Sequence, residues 1–234
     1  GAGGATGEPT GGATGGDEDA EGAGDDHERV VGRFAVGFLG LDAVPIGSPS
    51  GMGAATVERV SAPALGIRYW VDELVGVDVG VGVGFSGGSQ EVGGMSSPSD
   101  EAFALAIHGG VPLALVHGGH YKLLIVPEMQ LGFAGGTAFA GPDPSLNRGR
   151  DGVVFRLGGR LGTEIHFGFM DIPQLSLQAS VGLYFEYLAV GVGENQSPSA
   201  PQPSARTEAW GLSTGVEGDP WDILLGGLSA LYYF

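Results

Sequence analysis

The chain predicts an all-β fold, a transmembrane antiparallel up-and-down β-barrel of eight strands, or of ten if a further strand lies within residues 45–60. Three observations carry this. Large apolar residues alternate with small or polar ones over unusually long runs, the ionisable residues in those runs fall on the opposite parity, and short and long connections alternate. From Val75 to Phe85 the odd positions read Val75, Val77, Val79, Val81, Val83 and Phe85, and the even ones Gly76, Asp78, Gly80, Gly82 and Gly84. Strict alternation over eleven residues is a strand signal. That length suits a strand crossing a bilayer better than the ~5–6 residues usual in soluble sheets.

Composition sets the outer limits. Glycine supplies 47 of 234 residues and proline 14, which alone approaches a low-complexity chain. The 42% hydrophobic and 16% charged fractions contradict a solvated coil, and the glycines lack the three-residue period of collagen. A net charge of -17 repels nucleic-acid phosphates. The absence of cysteine excludes disulfides, thiolate metal sites, cysteine nucleophiles and lipidation of an N-terminal cysteine. The chain starts at Gly1 without a methionine or a charged-then-apolar leader, the form expected after removal of a signal peptide or trimming.

Two domains follow. Residues 1–28 hold ten glycines, eight carboxylates and no Lys or Arg, so burial cannot offset their ordering entropy and a disordered acidic segment is expected. Residues 29–234 carry the strand pattern and a net charge of -9, from 19 acidic and 10 basic residues. In order, the expected strands are 30–44, 61–72, 74–86, 102–116, 121–134, 152–168, 174–189 and 222–234. Segment 208–216, with Trp210, Leu212 and Val216 alternating, extends a hairpin or begins the last strand before the Gly218-Asp219-Pro220 break. Residues 102–121 lack Lys, Arg, Asp and Glu, but Gly109-Gly110, Pro112 and the twofold parity oppose a helix there.

The charges decide which face is which. Arg33, Arg68, Asp72, Asp78, Lys122, Glu128, Arg156, Arg160, Glu164 and Glu186 all lie opposite the large apolar side chains. A soluble sandwich would make its polar face dense in Lys and Glu. Here that face is mostly Gly, Ala, Ser and Gln, which fits a narrow interior, so the apolar face turns outward to lipid. Strands facing lipid must close into a barrel, because no water satisfies an open edge. Short connections near 72–73, 117–120 and 169–173 then lie on one side, and long ones at 45–60, 86–101, 135–151 and 189–207 on the other.

In a tight hairpin, partners share an index sum and inward residues face inward residues. A sum of 146 sets Arg68 opposite Asp78; a sum of 342 sets Arg156 opposite Glu186, Glu164 opposite Gln178 and His166 opposite Ser176. Eight strands leave an interior just wide enough to be filled by side chains. A charge network of Arg68, Asp78, Arg156, Glu186, Arg160, Glu164, Lys122 and Glu128 is therefore expected to plug the lumen.

The chain ends Gly-Gly-Leu-Ser-Ala-Leu-Tyr-Tyr-Phe, with Leu228, Ala230, Tyr232 and Phe234 on one parity and an aromatic last residue. This resembles the C-terminal β-signal of bacterial outer-membrane proteins, and residues 30–234 resemble the small eight-stranded barrel superfamily. The resemblance implies export, insertion by the barrel-assembly machinery, and an outer membrane of lipid and lipopolysaccharide as surroundings, with other envelope proteins as candidate partners. A structural or interaction role through long extracellular loops leads, followed by a small pore or carrier for solutes and then a lipid-modifying enzyme. Members of this superfamily include lipid acylases, deacylases and proteases, and here Ser176, His166 and Glu164 are the candidate nucleophile, base and orienter. A hydrogen-bonded interior cluster is the plainer reading of those three. His117 and His120 flank a Gly-Gly turn, too few ligands for zinc, and His108 is expected to face Gln130, so neither metal nor cofactor is expected.

Overall fold

A computed structural model of the chain describes residues 25–50, 55–92, 94–140, 143–214 and 227–234. The strands are β1 (Phe34–Pro49), β2 (Ala55–Trp70), β3 (Gly76–Val92), β4 (Met95–Gly110), β5 (Leu113–Gly118), β6 (Tyr121–Ala138), β7 (Arg148–Phe167), β8 (Ile172–Val192), β9 (Ala205–Ser213) and β10 (Leu228–Tyr233). All pairings in the sheet are antiparallel, and β10 pairs with both β1 and β8 to close a ring of eight strands. β5 continues the position of β4 along β6 beyond a break at Val111-Pro112, and β9 occupies the length of β8 beyond that used by β10. Segment 208–216 thus belongs to an added strand on β8 as far as Ser213, whereas 215–226 lie outside the described residues.

The alternation builds this ring directly. Leu65 is 65% exposed, Phe85 80%, Leu157 53% and Val181 55%, all on the outer face, while Arg68, Lys122 and Glu164 are fully buried inside. Connections on one side are tight. Asp72 Oδ1 accepts from the amides of Leu74 and Val75, Gly119 takes φ +60°, and Asp171 ends a short 3₁₀ turn (Gly168–Met170) at φ 62°.

Two expectations are corrected. The segments read as long loops at 45–60 and 86–101 are largely strand, since β1 pairs with β2 out to Pro49↔Ala55 and β3 with β4 out to Val92↔Met95. Around 45–60 the sequence lacks the apolar alternation because the β1–β2 hairpin has no simple two-sided environment. The register of β1 shifts between Phe38 and Gly40, and pairing of β2 with β3 stops at Ala64↔Gly82. Beyond those points the β1–β2 hairpin folds inward and lies across the inner face of β6, β7 and β8. Val44, Ile46, Val60 and Ala62 pack there against Ala102, Ala104, Ala106, Ala134, Val154, Leu188 and Val190.

Glycine makes this approach feasible. A Cβ on Gly152 would overlap the carbonyl oxygen of Pro45, and one on Gly84 would overlap that of Ser61. Part of the glycine excess therefore accommodates a second layer of backbone inside the ring.

The other correction concerns the tail. Residues 1–24 lie outside the described residues, but Asp26–Val30 form a short helix, α1, capped by Asp25. The amide of Asp26 donates to the carbonyl of Gly119, and Val30 is buried beside Trp70, Leu124 and Tyr233. Residues 25–28, expected to be disordered, instead close the tight-turn end of the ring, because Asp25, Asp26 and His27 meet polar partners there that the composition of the tail does not reveal.

Gly152→Val is expected to destabilise the fold by about 1–3 kcal/mol through overpacking, whereas Gly149→Ala in the same strand, where a Cβ meets nothing within 4 Å, is expected to be near neutral. Urea titration of the two variants followed by strand circular dichroism checks this, and equal midpoints would contradict the inward hairpin.

Candidate functional site

The interior is filled at three levels. At the tight-turn end, the register puts Arg68 opposite Asp78 and Glu164 opposite Gln178, the index sums of 146 and 342. The Arg68 guanidinium makes a two-bond fork to Asp78, Nε and Nη2 each donating at 2.7 Å. Its Nη1 donates to Glu164 at 2.7 Å and to the Gln178 side-chain oxygen at 2.9 Å. Lys122 Nζ lies 3.4 Å from Glu164 Oε2 and 4.3 Å above the Trp70 ring, and Tyr233 donates to Glu164 Oε1 at 3.1 Å. Trp70 in turn donates to the Tyr233 hydroxyl at 3.1 Å. A buried ion pair offsets its desolvation only when such extra hydrogen bonds satisfy the remaining atoms.

Helix α1 seals this level from outside. Asp25 pairs with His117, and Asp26 with His120 at 2.7 Å. The two histidines of the Gly-Gly turn thus hold carboxylates from the chain's own N-terminal segment. The turn sits where α1 crosses it, and sequence separation hid the partners. His27 Nε2 contacts the Glu73 carbonyl at 2.8 Å, and its ring packs edge-on against Trp70. Burial, then the charge of Lys122, push the His27 imidazole down from 6.5 to about 4. For Asp25, burial acts upward, but the hydrogen bonds from His117 and the His27 amide hold its carboxyl below the ordinary value.

The middle level is a cavity of about 330 Å³. Asp42, His108, Glu128, Arg156, Arg160 and Tyr184 line it. Arg156 donates to Glu186 at 2.5 Å and to Gln130 at 2.9 Å, and Arg59 donates to Glu186 at 3.0 Å. Tyr184 donates to Glu128 at 2.5 Å, and Arg160 Nε lies 3.1 Å from Glu128. His108 stands opposite Gln130 in the register, yet its Nε2 lies 3.4 Å from the Glu128 carboxylate, while Gln130 serves Asp42 and Arg156. The apolar third level is the inserted hairpin.

All eight residues of the expected charge network are inside the ring, split between two levels. Arg68, Asp78, Lys122 and Glu164 form the lower one, Glu128, Arg156 and Glu186 the middle one, and Arg160 touches both, through Glu128 at 3.1 Å and Asp78 at 3.6 Å. Ser176, His166 and Glu164 are neighbours, with His166 Nε2 3.5 Å from Glu164 Oε1 and His166 Nδ1 3.1 Å from the Pro173 carbonyl. All three are at most 1% exposed, and Glu164 is already engaged by Arg68, Lys122 and Tyr233. In the terminal motif, Tyr232 and Phe234 are exposed on the outer face and Ala230 pairs with both neighbouring strands. Among the described residues no group of three or more His, Asp or Glu is placed to hold a metal ion.

Sequence reasoning missed Trp70, Tyr233, Asp42 and Arg59. The first two lie on the inward parity and could have been found by extending the count through aromatic residues. Asp42 lies past the register shift at Phe38/Gly40, and Arg59 in a segment read as loop. A scan of protein-family models, a search of curated proteins and a search of solved structures find no match.

Two outcomes are expected. In a double-mutant cycle, Arg68→Met and Asp78→Asn should couple by about 1–3 kcal/mol, while exchanging the two charges should not restore stability, since an acid at 68 would face Glu164; full restoration would refute the shared guanidinium. Because the folded pKa of His27 is below its ordinary value, the neutral ring is the docked form. That penalty is absent above about 6.5 and grows as pH falls toward 4. Hydrogen exchange across Asp26–Val30 should accordingly rise more in the native chain than in His27→Gln as pH drops through this window, after correction for intrinsic rates.

Proposed function

We propose that the chain is an integral outer-membrane β-barrel whose interior is closed by its own side chains, acting as a structural or interaction element through the extended hairpins on its long-connection side. The observation that carries this reading is the outer face. Leu65, Val79, Phe85, Leu157 and Val181 stand exposed around a closed ring whose polar groups point inward. A water-soluble monomer rarely exposes so large a contiguous apolar surface. In hydrocarbon the same surface is the solvated one, and the pairing of β10 with both β1 and β8 removes the two edges an open eight-stranded sheet would expose to it.

The aromatic C-terminus supports the same reading. β10 is the closing strand, and Leu228, Ala230, Tyr232 and Phe234 lie on the parity that the assembly machinery would read on an incoming β-signal. Three stacked fillings, a salt-bridged floor under α1, a small cavity and an apolar hairpin, favour a closed interior over a water-filled pore. A second reading, as a carrier of small solutes, draws on the cavity. A lipid-modifying enzyme built on Ser176, His166 and Glu164 is disfavoured by their burial away from the outer face.

In detergent the folded chain is expected to give a strand-type circular-dichroism spectrum and a heat-dependent shift on a denaturing gel. In planar bilayers it is expected to show no steady conductance. A helical spectrum would sink the membrane-barrel reading, and stable single-channel openings would replace the closed interior with a pore.

A further inference from the structure

Backbone pairing closes the ring only toward its tight-turn end. Pairing of β1 with β10 ends at Phe38↔Ala230 and pairing of β2 with β3 at Ala64↔Gly82, while β3 runs on to Val92 and β9 lies along β8 out to Val192↔Ala205. Beyond those points β1 and β2 pair with each other and turn inward, so two of the eight strands have left the wall. Among the described residues, β3 past Gly82 then pairs only with β4, and β9 only with β8. Each has a free edge, and the two edges flank one gap.

These edges lie at the depth of the apolar band. Phe85 on β3 and Trp210 and Leu212 on β9 are the three most exposed large apolar side chains among the described residues, at 80%, 78% and 75%. In hydrocarbon no water satisfies an unpaired N–H or C=O, so such an edge calls for another backbone. The chain's own hairpin is poorly suited to return, because Pro45, Pro49 and Pro63 have no N–H to give a ladder. Residues 83–89 and Ala205–Ser213 contain neither proline nor lysine, two residues that commonly protect an edge.

The direction of the edges sets the number of strands that fit between them. Every pairing from β3 through β4, β6, β7 and β8 to β9 is antiparallel, so β3 and β9 run in opposite directions. An antiparallel filling between opposed edges takes an even number of strands, and two strands left the wall. The one beside β3 would continue the ladder that β2 makes as far as Gly82. Charge adds a preference. Exposed Glu91, near the far end of the β3 edge, has no ion-pair partner among the described residues, whereas Arg206 and Glu208 on β9 already pair at 2.9 Å.

We propose that this gap is a docking site for a β-hairpin of a partner polypeptide, apolar at alternate outward positions and basic beside Glu91. Its inward positions are small, because β2 carbonyls lie against the inner side of Gly82 and Gly84. The proposal rests on the membrane-barrel reading and names the partner surface of its interaction role.

The test uses the full folded chain in detergent micelles and a fluorescent synthetic hairpin with about six residues in each strand, valine outward, serine inward and lysine at the end that meets Glu91. One control is the same peptide N-methylated along both outer edges, which keeps its apolar surface but cannot pair; the other replaces lysine by glutamate. Fluorescence anisotropy should show saturable binding about tenfold or more tighter than either control, and a similar loss for the parent peptide on the Trp210→Ser/Leu212→Ser chain. Hydrogen exchange at alternate β9 amides should slow when the peptide binds. Absence of saturable binding, equal binding of the N-methylated peptide, or alternate β9 amides already protected in the free chain would overturn the proposal. So would a stable dimer that excludes the peptide, which would assign the edges to a second copy. The heat-shift gel separates the two levels: its loss in the native chain sinks the barrel reading, whereas an intact shift without peptide binding sinks this inference alone.

Discussion

Closing eight strands into a ring creates an interior that must be filled, and every other feature of this chain answers that demand. The ring is too wide for its small inward residues alone and too narrow to leave water unconstrained. Long charged side chains fill one end, where Arg68 reaches across to Asp78, Glu164 and Gln178 in a single hydrogen-bonded unit. Because these groups come from strands β2, β3, β7 and β8, the network ties together strands that are distant around the sheet. It holds only while the ring keeps its register, and a slip by one residue would turn Arg68 and Glu164 outward.

The opposite end is filled by different means. There the inner face carries Gly84, Ala102, Ala104, Ala106, Gly132, Ala134 and Gly152, too small to meet in the middle, and the β1–β2 hairpin supplies the missing volume. Once the hairpin turns in, β2 no longer pairs with β3 beyond Ala64↔Gly82. Apolar contacts between the hairpin and the inner wall replace those ladder bonds. Between the charged end and the apolar end neither filling fits well, and the partly unsatisfied cavity lies at their junction.

Helix α1 completes the charged end through hydrogen bonds between its acids and the histidines of the turn. His117 and His120 project from a turn that must be tight, and Asp25 and Asp26 come from a segment rich in acid. The neutral His27 ring, set between Trp70 and Lys122, lets the helix sit over the network without adding a charge to it. The floor is therefore sealed by parts that each carry too little apolar surface to order themselves alone.

The sequence by itself determined the strands, their parity and the registers of the tight hairpins. These depend on a period of two and on loop geometry, both local to the chain, and so Arg68 and Asp78, or Arg156 and Glu186, could be paired from their numbers. The tertiary structure decided what lay beyond the strand alternation. That residues 42–62 turn inward follows from volume left empty by strands far away in sequence, and no local pattern in β1 or β2 records that vacancy. The places of Asp42 and Arg59, the meeting of α1 with the His117–His120 turn and the cavity between the two fillings follow from the same cause. Each depends on what several distant strands jointly leave unfilled, and only the closed ring brings those strands together.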